Sequence, residues 1–172
     1  MPLRPLTEQD LDLVLAWRNA PEVRLQMFTT HIIEKDEHLE WFRKITTSPE
    51  TRCYVHHGQT GMPDGVVSFS DIDTNSGTAQ WGFYINPAAP SGTGSELGAD
   101  ALVLAFGDLG LKRLNAEVLE SNTRSIRFHE KLGFRSEGMV RKHQLDNCDY
   151  ISVYGFHMLD VDWAKLSRVG AD

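Results

Sequence analysis

Apolar and polar positions alternate from Thr78 to Ile85, with Ala79, Trp81, Phe83 and Ile85 on one side and Gln80, Gly82 and Tyr84 on the other. A period of two predicts a strand. Over residues 95–106 the period lengthens, and Leu97, Ala101, Leu104 and Ala105 make the apolar stripe of a helix. Residues 86–94 between them form a loop rich in Pro, Gly and Ser. The same two periods organise the rest of the chain. Residues 3–6 read as a short strand. Thr7 and Asp10 suggest a capping box for a helix that buries Leu11, Val14 and Leu15 and ends near Pro21. Residues 22–30 fit either a short helix or a loop. A second amphipathic helix over 34–45 would bury Leu39, Phe42 and Ile45, and Ser48-Pro49-Glu50 is a turn.

Strands follow at 52–57 and 66–73, joined through a connection bearing Gly and Pro, and residues 73–77 read as a hairpin turn. Residues 113–119 form a further strand. Ser121 or Asn122 caps a helix to Leu132, which Gly133 stops in the left-handed conformation. The pattern closes with an antiparallel pair over 135–141 and 150–159 and a helix or tail over 161–169. This order predicts one α+β domain spanning the 172 residues, a mixed sheet flanked by helices. The strand–loop–helix–strand unit must cross over right-handedly, which leaves the 78–85 and 113–119 strands parallel.

Composition narrows the function classes. A net charge of −7 provides no basic excess to neutralise phosphates, which argues against nucleic-acid binding. Cys53 and Cys148 are far apart and make no metal spacing, so no metal is expected. Neither has an evident activating partner, so neither reads as a covalent nucleophile. Without a signal-like segment or an apolar run of membrane length, the expected location is the cytoplasm, with no membrane partner. The candidate chemistry is at Ser91-Gly92-Thr93-Gly94-Ser95. Glycines let backbone N–H groups converge there, and the following helix directs its positive end at the same point, which outlines a phosphate cradle. The motif lacks the Lys-Ser/Thr pair of a P-loop and the third glycine of a dinucleotide fingerprint. By itself it is equally a strand-to-helix turn.

Two further segments change that balance: Gly82-Phe83-Tyr84-Ile85-Asn86-Pro87, which feeds the loop, and the run from Asn122 through Phe128-His129-Glu130-Lys131-Leu132-Gly133-Phe134. With the loop, they resemble the signature of the GCN5-related N-acetyltransferase (GNAT) superfamily. The resemblance implies acetyl-CoA as co-substrate. Ser91, Gly92, Thr93, Gly94 and Ser95 would hold its pyrophosphate through the backbone. Phe83, Tyr84 and Ile85 would splay from the 114–119 strand, with pantetheine lying along their edge, and Asn122 would touch the pantetheine arm. A backbone N–H near 83–85 would polarise the thioester carbonyl. The chain departs from the superfamily at Ala89, where Arg or Gln is usual, and at His129, where many members carry a Tyr acting as general acid. His129 is the corresponding proton-donor candidate, and its alternative is a packed, hydrogen-bonded helix-face residue.

Trp17-Arg18-Asn19, Met27, Thr29 to Ile32 and Glu37 to Phe42 resemble one branch, the pseudaminic-acid pathway acetyltransferases. That resemblance implies acetylation of the 4-amino group of a UDP-linked amino-deoxy sugar by direct transfer in a ternary complex. Arg18 is then a candidate for the UDP phosphates, or equally a helix-end cation complementing the dipole. Trp17, Trp41 and Phe42 could stack on uracil or sugar, though core packing accounts better for at least two of the three. Asn19 and His38 are candidates for the acceptor site, with a helix-surface or half-buried place as the other reading of His38. The amine must be neutral before attack, so His31 or His38 could take its proton, directly or through a water that Gln80 orients. Two readings stand beside this one: N-terminal acetylation in the manner of the ribosomal-protein branch, and a non-catalytic acyl-CoA-binding module. The hairpin over 135–159 offers an edge for pairing two copies into a homodimer.

Overall fold

The computed structural model describes residues 2–144 and 149–169; Cys148 lies outside them. The chain begins with β1 (Leu3–Pro5), a single 3-10 turn (Glu8–Asp10) and α1 (Leu11–Asn19). The expected cap is present. The Asp10 carboxylate accepts from Thr7 N at 2.9 Å and Thr7 Oγ1 at 2.8 Å, and both its oxygens receive the Arg4 guanidinium, at 2.7 and 2.8 Å. Arg4 first, then the Thr7 donors, hold this carboxyl well below the usual carboxylate range. The ambiguous 22–30 stretch opens as α2 (Pro21–Arg24), with Pro at its first position where no N–H is required, and continues as turns. α3 (Lys35–Thr47) differs from expectation in what it buries. His38 is the buried residue, while Leu39, Phe42 and Ile45 are half-buried against α1 and β2.

β2 (Arg52–His57), β3 (Pro63–Asp73) and β4 (Thr78–Ile85) form the antiparallel meander, with β3 starting three residues earlier than its apolar pattern. α4 (Thr93–Val103) begins inside the glycine loop and widens into one π turn, Leu104–Asp108, closed by Leu109 N to Leu104 O at 2.9 Å. β5 (Arg113–Leu119), α5 (Thr123–Leu132), β6 (Arg135–Gln144), β7 (Asp149–Leu159) and α6 (Asp160–Val169) complete the chain. Gly133 ends α5 at φ +94°, as the Leu-Gly-Phe terminus predicts.

The sheet order is β1-β2-β3-β4-β5-β7-β6, in which only β4 and β5 run parallel. β6 is an outer strand, with Met139 and Val140 exposed on it. Strand alternation sorts the core into two layers. Val67, Phe69, Ala79, Trp81 and Leu114 face α4, where Leu97 and Ala101 are fully buried. Val55, Val66 and Tyr84 face Val14 and Trp17 of α1 and the half-buried side of α3. Among the described residues, no helix is long and apolar enough to cross a membrane.

β4 and β5 pair only at Thr78↔Arg113, Ala79↔Leu114 and Gln80↔Asn115. Beyond Gln80 they part, while β4 stays paired to β3 as far as Ile85 and β5 to β7 as far as Leu119. Each strand therefore keeps one satisfied edge and turns the other into the gap.

Candidate active site

The gap is a cleft of about 880 Å³. One wall is residues 80–85 of β4, the other 116–119 of β5; Gly92, Gly94 and Ser95 close one end, and the 22–28 segment flanks the side. Phe83, Tyr84, Ile85, Asn122 and His129 all reach it, as does Gln80, so most of the residues that the sequence assigns to the donor side gather in one place.

At the loop end, Gly92 caps α4 with φ +101°, a conformation open to glycine and costly for other residues. Its carbonyl takes Ser95 N at 2.8 Å and Glu96 N at 3.1 Å. A Cβ built on Gly92 or on Gly94 would meet nothing within 4 Å, so both backbones face open space at a helix N-terminus. Thr93 points the other way and is buried, and Ser91 is not part of the lining. This open cradle, continuous with the unpaired edge of β4, fits the pyrophosphate and pantetheine of a coenzyme A group. Asn122 caps α5, its Oδ1 accepting from Ser125 N at 3.1 Å.

His129 is 3% exposed. Its Nδ1 lies 2.7 Å from the Ser125 carbonyl, and its Nε2 accepts from Trp81 Nε1 at 3.2 Å. Burial pushes its pKa down, against the smaller effect of the Ser125 carbonyl. The sequence points to a proton donor here; in this arrangement Nε2 holds a lone pair directed at an indole N–H.

The acceptor-side candidates separate. Trp17 is buried in the core beneath α1, which removes it from stacking on a ligand. Both amide atoms of Asn19 are spent on Ile33, Nδ2 to its carbonyl and Oδ1 from its N–H, each at 2.8 Å. His31 pairs with Glu37 at 2.9 Å on the surface, away from the cleft lining. Arg18 donates Nη2 to Thr29 O at 3.0 Å, and Arg24 donates Nη1 to the next carbonyl, Thr30 O. His38 stacks on Trp41 at 4.9 Å and is 5% exposed. Burial lowers the pKa of both Arg18 and His38, and Arg18 lowers that of His38 further. Arg18 Nη1, Arg24 Nε and His38 Nε2 are buried without a hydrogen-bond partner.

Sequence reasoning missed Arg24. It is one arginine among many until the fold sets it beside Arg18 on consecutive carbonyls. It also missed Asp71, a cleft residue at φ +50° where β3 bulges between Ser70 and Asp73. Trp81 reads as core, yet carries the donor to His129. Burial pushes the Cys53 thiol up to about 12, which leaves it inert as a nucleophile. Among the described residues, no group of three or more His, Cys, Asp or Glu is placed to hold a metal.

The family described as "Acetyltransferase (GNAT) domain" matches residues 1–135. Acetyltransferase PseH of Campylobacter jejuni is 27% identical over 129 residues, covering 75% of this chain and 79% of the relative. An uncharacterized N-acetyltransferase, p20, of Bacillus licheniformis is 26% identical over 94% of each chain. Among solved structures, the spermidine N-acetyltransferase of Vibrio cholerae in complex with CoA and spermine superposes with a TM-score of 0.85. It covers 94% of this chain and 96% of its own at 23% identity, a likeness of fold. With its splayed parallel pair, glycine cradle and family match over three quarters of its length, the chain belongs to the GNAT acetyltransferases and is an acetyl-CoA-dependent N-acetyltransferase.

Proposed function

We propose that the acceptor is the 4-amino group of a UDP-linked amino-deoxy sugar, acetylated by direct transfer within a ternary complex. The carrying observation is two guanidinium N–H donors buried without a hydrogen-bond partner, Arg18 Nη1 and Arg24 Nε, with a ring nitrogen of His38, Nε2, likewise unpartnered. Leaving such groups unsatisfied costs free energy, and burying two guanidinium groups side by side costs more. An oxyanion of high charge removes both penalties at once. The diphosphate of a nucleotide sugar supplies it, whereas a polyamine does not. None of the three lines the cleft, but Arg18 lies near Tyr84, which does, and Arg24 belongs to α2, whose Glu22 and Val23 line it too. The relation to PseH points the same way.

Acetyl-CoA brings an activated acetyl thioester; Gly92, Gly94, Ser95, Asn122 and the β4 edge at Phe83, Tyr84 and Ile85 would hold it. Gln80 stands at the last paired position before the strands part and orients the water that takes the amine proton. Among the described residues the one cysteine, Cys53, does not compete with direct attack, since its thiol stays protonated. A second reading has its own observation. Glu22, Asp71 and Glu117 line the same cleft, and carboxylates suit a polycation or a basic protein N-terminus. Lys142 already engages Glu117, which weakens that case.

The test is free-thiol release from acetyl-CoA with three acceptors: the UDP-4-amino sugar, spermidine and a basic N-terminal peptide. Turnover with the sugar is expected. Turnover confined to spermidine or to the peptide would overturn the proposal, and acetyl-CoA binding without turnover on any amine would favour a binding module.

A further inference from the structure

We infer that His129 is a positioning residue, a neutral tie across the fork of the cleft, and that it does not supply the proton to the departing thiolate. The inference rests on the acetyl-transfer activity alone and holds whichever amine is the acceptor.

Hydrogen-bond polarity sets the tautomer. The Ser125 carbonyl can only accept, so Nδ1, 2.7 Å away, carries the hydrogen. The Trp81 indole can only donate, so Nε2, 3.2 Å away, carries the lone pair. Protonating Nε2 would set one N–H against another on a ring that is 3% exposed. Besides Trp81, four phenylalanine rings surround it. Phe156 of β7 stacks on it at 5.4 Å, and Phe134 meets it edge-on at 5.1 Å. Phe83 of β4 and Phe128 of α5 lie at 6.1 and 5.5 Å. The one proton the ring holds is directed at the Ser125 carbonyl of α5.

The position of the bond explains its use. Trp81 is the first β4 residue beyond the last β4–β5 pair, Gln80↔Asn115, so it stands where the two strands part. Ser125, on the other end of the tie, has its N–H held by the Asn122 cap. A continuous run of polar contacts, Asn122 to Ser125 to His129 to Trp81, thus joins the N-terminus of α5 to β4. It sets how far the fork opens, and with it where the unpaired β4 edge stands over the acetyl group.

The experiment reads the tautomer directly and then the tie. Long-range ¹⁵N–¹H correlation spectra of histidine-labelled full-length protein, alone and with CoA, should show His129 as the neutral Nδ1–H form from pH 6 to 9. CoA affinity is then measured calorimetrically for His129→Gln, whose amide oxygen can still accept from Trp81, and His129→Leu, which cannot. His129→Leu is expected to bind CoA about tenfold more weakly, and His129→Gln to stay within about twofold of wild type. An Nε2–H form, or titration of the ring in that range, would overturn the inference. So would equal CoA affinity in both variants and the parent. If His129→Leu fails to fold, the spectra of the wild-type protein decide the proton question and Trp81→Phe, which removes the donor, decides the tie: CoA affinity is expected to fall about tenfold, and affinity equal to the parent would overturn it.

Discussion

Two alanine substitutions two residues apart, Gly92→Ala and Gly94→Ala, separate the cradle's geometry from its occupancy. At Gly92 the backbone has φ +101°, so an L side chain there costs about 1–2 kcal/mol in the free protein. Gly94 lies in the first turn of α4, outside the positive-φ region, and a Cβ there meets nothing within 4 Å. Alanine at 94 should therefore stabilise the fold by about 0.5–1 kcal/mol, because it removes freedom from the unfolded chain. The bound state reverses the sign. If phosphate oxygens lie against this backbone, the new methyl stands in their space. Overpacking of that kind costs about 1–3 kcal/mol, which corresponds to a loss of CoA affinity of roughly 5- to 150-fold. Urea unfolding and calorimetric titration with CoA measure the two effects. Gly92→Ala should lose on both, so it is the less informative variant. Gly94→Ala should gain stability and lose affinity. A Gly94→Ala protein that binds CoA within twofold of wild type would refute the close approach of phosphate to this loop.

Three further outcomes are expected. His56 is 1% exposed between Asp64 at 2.6 Å and Asp100 at 3.1 Å, so His56→Leu leaves the Asp64 carboxylate buried without its partner. The loss should be about 3–5 kcal/mol in urea unfolding; a change under about 1 kcal/mol would show the three groups to be no tie between β2, β3 and α4. Asp10→Asn should cost about 1–3 kcal/mol near neutral pH, from weakened bonds to Arg4 and the loss of an acceptor charge. Because the folded-state pKa of Asp10 is depressed, its contribution is full above the unfolded carboxylate value of about 4 and fades as pH falls through the folded one. Wild type and variant should thus converge in acid, as unfolding midpoints between pH 7 and pH 2 would show. Arg24→Met should raise KM for a UDP-amino sugar at least about tenfold while leaving CoA affinity unchanged, since Arg24 is not among the residues that line the cleft with the glycine cradle. Equal KM values would remove Arg24 from acceptor binding.

The donor half of the site was legible because it is made of backbone. A glycine at φ +101°, a helix N-terminus and a strand edge are each announced by residue type and period, and Gly133 and the Asn122 cap follow the same logic. Even the parting of β4 from β5 was expected from the family signature. The acceptor half is made of side chains whose meaning depends on what lies opposite. Asn19 looked like a ligand and is a strap for Ile33, and Trp17 looked like a platform and is core. His38 looked like a candidate to take the amine proton and is buried, because α3 packs on α1 at the face that carries it.

The two histidines show why residue type alone misassigns chemistry. His129 occupies the place of a proton donor, yet its neighbours leave it none to give: a carbonyl takes its hydrogen and an indole N–H takes its lone pair. His38 is as deeply buried, yet its Nε2 has no partner, and a guanidinium group stands close enough to lower its pKa. Burial lowers the pKa of both rings, so burial does not distinguish them. Satisfaction does. A saturated ring contributes by holding its neighbours in place, whereas an unsaturated one beside Arg18 retains a bond to make. The energetic incentive for binding at the acceptor side is therefore concentrated at Arg18, Arg24 and His38, and any acceptor that leaves those three groups dry forfeits it.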